Sequence, residues 1–164
     1  MKTFGFAGWS GSGKTTLIEK LIPRFTGIGL RVSLIKHAHH TFDVDKPGKD
    51  SYRHREAGAA EILVTSSRRW VLMHELRGAA EPAFEEQVNH FSSCDLLLVE
   101  GYKYAPIPKL EVWRAATGEA MLHPNDAHIV AVASDRKVDT KLPLLDLNDD
   151  RSIAQFILAH LRLA

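Results

Sequence analysis

The chain has 164 residues, of which 45% are apolar and 25% charged, with a formal net charge of +1. Those values fit one globular domain spanning 1–164 that buries a core without staples, and the near-neutral charge supplies no global field toward nucleic acid or membrane. The lone cysteine, Cys94, excludes an intrachain disulfide framework, so a reducing compartment is expected and Cys94 reads as structural.

No apolar run approaches the roughly 18 residues that span a bilayer. The opening MKTFGFAGWS has one lysine and too short an apolar segment for a secretory signal. The expected location is the cytoplasm.

KTFGFAG, residues 2–8, reads as a strand buried on both faces. Over residues 14–28, Leu17, Ile18, Leu21, Ile22, Phe25 and Ile28 recur at the spacings of an amphipathic helix. Pro23 is expected to kink that helix or end it early, and Gly27 and Gly29 to close it. RVSLI, residues 31–35, is a second strand, which completes a parallel crossover unit. Residues 37–50 have no clean period, and a loop of that length is often functional. SYRHREAGAA predicts a short helix ended by Gly58. EILVTSS and RWVLMHEL form a hairpin around Ser66, Ser67, Arg68 and Arg69. EPAFEEQVNHF reads as a helix with Pro82 in its first turn. DLLLVEG is a buried strand, KLEVWRA an alternating run suited to a sheet edge, and HIVAVAS a further strand. DRSIAQFILAHLRL is a terminal helix with Ile153, Phe156, Ile157 and Leu161 on one face. This alternation predicts a three-layer α/β/α fold with a mostly parallel sheet and a β-hairpin extension.

Gly8, Gly13, Lys14 and Thr15 fit the phosphate-loop pattern G-x-x-x-x-G-K-S/T, between a strand and a helix. Glycines that tolerate positive φ let successive amides turn inward as an anion nest, and the next helix aims its dipole at the same spot. Lys14 brings a charge for the β and γ phosphates, and the Thr15 hydroxyl is placed to ligate Mg²⁺. The fold expected is therefore that of the P-loop nucleoside triphosphate hydrolases. An acid is also needed for the metal, and CDLLLVEGY offers Asp95 and Glu100, roughly 16 Å apart along a strand. Ligands of open α/β sheets collect at carboxyl strand ends, which selects Glu100.

The loop after the second strand is the next candidate. Asp43 and Asp45 are placed to bind metal through water or to orient the attacking water, and Lys36, Lys46 and Lys49 to meet phosphate. His37, His39 and His40 raise zinc, or simply ligand contacts, but three histidines without a cysteine make a weak zinc signature. For the base, the N-K-x-D tetrad is absent. Asp135, just after a strand, is positioned to accept from guanine, with LNDD (residues 147–150) as a rival or a helix cap.

FAGWSGSGKTTLIEKLIP, LIKHAHHTFDVDKPGKDSYRHREAGA, LLLVEGYK and HIVAVASD together resemble the molybdopterin-guanine dinucleotide biosynthesis protein B family. The likeness covers most of the chain and keeps the motif order. It implies a GTP-binding, weakly GTP-hydrolysing homodimer. Such a protein assists the guanylyltransferase that attaches GMP to molybdopterin, as an accessory or adapter dispensable for the transfer itself. By this resemblance the phosphate loop falls on Gly11, Ser12, Gly13, Lys14, Thr15 and Thr16, and the strand-end acid on Glu100. The segment after the second strand falls on Lys36, His37, Asp45, Lys46 and Asp50, and the hairpin over residues 61–76 belongs to the dimer. The implied cofactors are GTP and Mg²⁺, and the implied partners molybdopterin or the enzymes that bear it.

The expected reaction is in-line attack of water on the γ-phosphate, with Lys14 neutralising charge and Asp45 orienting the water. Arg68, Arg69 or Arg114 of a partner subunit are candidate arginine fingers; without one, turnover is slower by roughly 10³ to 10⁵. Two other readings stand beside it: a P-loop small-molecule kinase with SYRHREAG as its lid, and a carrier that binds nucleotide without hydrolysing it.

Overall fold

The computed structural model describes residues 1–38 and 42–163. They group into two compact units, Met1–His37 with Val88–Ala164, and Ala38–Gln87.

The first unit is built on a sheet of six strands. In chain order these are β1 (Lys2–Ala7), β2 (Val32–Lys36), and then, beyond the hairpin strands β3 (Glu61–Thr65) and β4 (Trp70–His74) of the second unit, β5 (Leu96–Glu100), β6 (Lys109–Trp113), β7 (Ile129–Ser134) and β8 (Leu144–Asp146). Their order across the sheet is β2-β5-β1-β6-β7-β8, and every pairing is parallel. β1 and β5 are near-continuous apolar runs because both of their faces are covered. Helices α1 (Lys14–Thr26) and α4 (Asp150–Leu161) pack Leu21, Phe25, Ile153 and Ile157 against Phe4, Phe6, Leu96, Leu98, Leu110 and Val112. The result is an α/β fold with a parallel sheet flanked by helices, as the alternation of elements implies.

Four local expectations need correction or refinement. KLEVWRA does not lie at an edge: β6 sits between β1 and β7. Its alternation marks buried polar groups rather than a wet face, since Lys109 and Glu111 are 1% and 0% exposed. Pro23 does not end α1, which runs to Thr26; the proline lies in the last turn, and its carbonyl accepts from the Gly27 amide at 2.9 Å. The helix α3 covers only Phe84–Val88, so Pro82 precedes it. There the Glu86 carboxylate reaches back to the Ala83 amide at 3.1 Å, as in a capping box, and starts the helix after the proline. The short edge strand β8 has no counterpart in the sequence reading; it lies directly after Pro143, whose carbonyl takes the Val132 amide.

The second unit holds α2 (Asp50–Glu56) and the antiparallel pair β3–β4, whose register runs from Glu61 opposite His74 to Thr65 opposite Trp70. The hairpin exposes Leu63, Val64, Trp70, Val71 and Leu72. Arg55 is the hub of this unit. It donates to Asp43 at 2.9 Å and to Asp45 at 3.0 Å, and stacks over the Tyr52 ring at 4.9 Å. Arg77 donates to the Arg55 and Ala59 carbonyls, both at 2.9 Å.

Buried charge on β6 is fully partnered. The Lys109 ammonium donates to the Lys103 and Ala105 carbonyls at 2.7 and 2.9 Å and meets Asp126 at 2.6 Å. Burial pushes the Asp126 carboxyl up, but hydrogen bonds from Lys109 and the His128 amide, with the lysine's charge, outweigh it and hold it below the usual carboxylate range. A depressed folded pKa gives stability that is present above the unfolded value, about 3.9, and lost as pH falls through the folded one. Asp126→Asn should therefore cost on the order of 3 kcal/mol near neutrality, by leaving Lys109 without its counter-charge. Urea midpoints should show that gap narrowing as the pH drops below about 4. A gap that stays constant with pH would mean the charge on Asp126 is not what matters.

Candidate functional site

At the carboxyl end of β1 the chain turns sharply into α1. Gly8 has φ +146°, and a Cβ there would lie 2.3 Å from the Val112 carbonyl oxygen. Gly11 and Gly13 have φ of +77° and +96°, the left-handed region open to glycine. Gly13 is the N-cap of α1 and offers no side-chain hydrogen bond, and the first turn holds no acid. Among the described residues no side chain caps the leading amides of this 13-residue helix, in a loop that carries a lysine.

Lys14 folds back over this loop. Its ammonium donates to the Trp9 carbonyl at 2.8 Å and to the buried Ser12 hydroxyl at 3.4 Å. Desolvation lowers its pKa; Glu100 opposes the shift, while the nearby Lys103 and Lys36 ammonium groups add to it. Three cations therefore share one end of the sheet, which favours a polyanion there.

The Thr15 hydroxyl donates to Glu100 at 2.7 Å. The other Glu100 oxygen faces Lys36 at 3.6 Å, and the Lys36 ammonium also approaches the Thr15 hydroxyl at 3.4 Å. Glu100 is buried although it ends its strand. Asp95 lies at the opposite end of β5, where its carboxylate accepts from the Arg31 amide at 2.7 Å. One hydroxyl and one carboxylate within hydrogen-bond distance form an oxygen donor pair that suits a hard divalent cation, and Mg²⁺ fits it. After Glu100 the chain turns at Gly101, φ +95°, where a Cβ would meet the His37 carbonyl at 2.7 Å. The His37 amide donates to the Glu100 carbonyl at 2.9 Å, and its ring lies 5.1 Å from that of Tyr102.

Of the other residues expected at the site, Thr16 is exposed in the first turn of α1. Asp135 follows β7 and pairs with Arg114 at 3.3 Å. Asp45 and Lys46 belong to the second unit; both Asp45 oxygens are turned to Arg55, at 3.0 and 3.5 Å. His39 and His40 lie outside the described residues. Among the described residues, no three His, Cys, Asp or Glu side chains gather into a set that could hold a metal ion. Asp149 caps α4 by accepting from the Ser152 amide at 3.0 Å, which places LNDD at a helix start.

Two residues at the loop were not singled out by the sequence reading. The Trp9 ring lies under the Lys103 ammonium at 3.9 Å, and its Nε1–H donates to the Ala120 carbonyl at 2.7 Å. The available signal was position: Trp9 lies inside the glycine motif and Lys103 three residues after the strand-end acid.

Comparison with known proteins points one way. Residues 3–135 match the family model described as Molybdopterin guanine dinucleotide synthesis protein B. The molybdopterin-guanine dinucleotide biosynthesis adapter protein of Escherichia coli K12 is 46% identical over 158 residues, 93% of this chain and 89% of that protein. The protein of the same name from Haemophilus influenzae is 42% identical over 93% of this chain and 85% of its own length. The crystal structure of Bacillus subtilis MobB superposes with a TM-score of 0.77 at 25% identity, covering 98% of each chain.

The loop geometry makes a graded prediction. Gly11→Ala should cost about 1 kcal/mol, since its Cβ would meet nothing within 4 Å and only the left-handed backbone resists. Gly8→Ala should cost roughly 3 kcal/mol, because strain is joined by a clash with rigid backbone. Urea titrations that reversed this order would place the tight contact elsewhere.

Proposed function

The chain belongs to the molybdopterin guanine dinucleotide synthesis protein B family, and on that premise we propose that it is a GTP-binding, weakly GTP-hydrolysing adapter in the making of molybdopterin guanine dinucleotide. The relatives named above are called adapter proteins of that biosynthesis. The partners proposed are therefore molybdopterin or the enzymes that carry it, the guanylyltransferase that transfers GMP, and a second copy of this chain. The exposed apolar hairpin β3–β4 supports the last of these, since an unpartnered apolar surface favours burial.

One observation carries the nucleotide reading. The uncapped start of α1, the Lys14 ammonium and the Thr15–Glu100 pair all face the same strand end, at distances a triphosphate and its metal would bridge. In this reading the amides of residues 11–16 hold the phosphates, and Lys14 leaves the Trp9 carbonyl to meet the β and γ oxygens. Thr15 and Glu100 would hold Mg²⁺, which would supply neutralisation of phosphate charge. Lys36 then exchanges the acid for phosphate. His37, whose amide is fastened to the Glu100 carbonyl, keeps the start of the following loop beside the metal pair.

Hydrolysis is the slower part of the activity. Without an arginine finger, turnover is slower by roughly 10³ to 10⁵. A small-molecule kinase on the same fold stands as the alternative, because SYRHREAG supplies a basic helix; a carrier that never hydrolyses is the other.

Incubation with GTP labelled on its γ-phosphate separates the three: slow release of free phosphate is expected, a phosphorylated small molecule would mean a kinase, and neither would mean a carrier. In calorimetry, Lys14→Ala should weaken GTP binding by at least tenfold, the scale of a charge-assisted hydrogen bond. Glu100→Gln should leave metal-free binding unchanged and remove most of the gain that Mg²⁺ gives. Unaltered affinity in the lysine variant would take the phosphate loop out of the account.

A further inference from the structure

Arg114 follows β6 directly, and Asp135 follows β7, so neighbouring parallel strands deliver both residues to the end of the sheet that holds Gly8. The Arg114 side chain does not face solvent alone. Its Nε donates to the Ser12 carbonyl at 3.2 Å, and its Nη1 meets the Asp135 carboxylate at 3.3 Å. It also lies flat against Gly13: a Cβ on that glycine would stand 3.3 Å from Nε and 3.6 Å from Nη2. A side chain at position 13 would press on the guanidinium, so Gly13 leaves room for the arginine as well as for the turn.

The geometry of the peptide gives this contact its consequence. The Ser12–Gly13 peptide is trans, so its carbonyl and its N–H point in opposite directions. With the carbonyl held by Arg114, the Gly13 N–H points the opposite way from that contact. If that peptide flipped, an oxygen would replace a donor in the nest and repel phosphate. Asp135 matters to the same peptide at one remove. It neutralises and orients Arg114, whose planar fork engages the carbonyl and the carboxylate together.

We propose that Asp135 and Arg114 form an in-chain brace that fixes the Ser12–Gly13 peptide in its phosphate-accepting orientation, so that Asp135 sets polyphosphate affinity through Arg114 and is a positioning residue rather than a reader of the base. This rests on the reading that the loop takes a nucleoside triphosphate. It also assigns Arg114 to its own chain's loop, in place of the partner-subunit role that the sequence alone left open.

Inorganic tripolyphosphate tests it, because that ion has phosphates and no base. Calorimetry with Mg²⁺ on the full chain would compare tripolyphosphate and GTP for wild type, Arg114→Gln, Asp135→Asn and the double variant. Each single variant should weaken both ligands by the same factor, roughly tenfold for a charge-assisted contact. The double variant should add little to either single, since the two residues act as one unit. Arg114→Lys, which keeps the charge but lacks the fork, should fall between, and stands in should Arg114→Gln fail to fold. An Asp135→Asn variant that loses GTP affinity and keeps that for tripolyphosphate would make Asp135 a base reader and overturn the brace. Equal affinities in all variants would overturn it too. If wild type bound neither ligand, the phosphate-loop reading itself would fall, and the brace with it.

Discussion

The contact on which the site depends is the approach of Gly8 to the Val112 carbonyl, too close for any side chain. It sets how near the start of the loop can lie to the end of β6. From that distance the rest follows. Upstream, β1 is held in register between β5 and β6, so Gly8 emerges beside the ends of both strands. Downstream, the loop must return within five residues to begin α1 at Lys14, and positive φ at Gly11 and Gly13 makes that return possible. On the far side, Val112 is followed by Trp113 and Arg114, so the same contact carries a guanidinium to the Ser12 carbonyl. The loop is shaped by backbone proximity first, and its charges are placed afterwards.

β6 contributes more than a wall. Its Lys109 and Glu111, two positions apart and both buried, fasten the chain segments that follow β5 and β6. Lys109 holds the carbonyls of Lys103 and Ala105. Glu111 accepts from the Leu122 and His123 amides and faces the His123 ring at 2.9 Å. Those two segments reach Trp9 from two directions, through the Lys103 ammonium and the Ala120 carbonyl. A buried charge contributes little net stability, because desolvation offsets its attractions. What it supplies here is a single geometry for the loops on either side of Trp9, since each donor has one set of acceptors within reach.

Much of this was legible in the sequence where a local rule and the global fold agree. The buried runs of β1 and β5, the stripe of α1 and the glycine spacing each follow from one physical requirement, and placing Glu100 rather than Asp95 at the loop's end of β5 needed only strand length and polarity. Legibility failed where a side chain's environment depends on distant chain. Alternation in KLEVWRA has the same appearance whether Lys109 faces water or a cage of carbonyls, and only the position of residues 103–126 decides between them. Asp135 after a strand suggests a ligand contact equally well before its arginine is known. β8 is three residues long and lies next to a proline, too short to show a period.

The second unit is organised around one arginine. Asp45, the acid expected to orient an attacking water, is 5% exposed and has both oxygens on Arg55, which is drawn at once to Asp43 and Glu75. Each Asp45 oxygen is engaged by the guanidinium through one contact, which fixes the orientation of the carboxylate. Freeing it would leave Arg55 short of its principal partner within a unit that has few buried apolar contacts of its own. The pairing of Asp45 with Arg55 therefore ties the segment that carries Asp43 and Asp45 to α2 within the second unit.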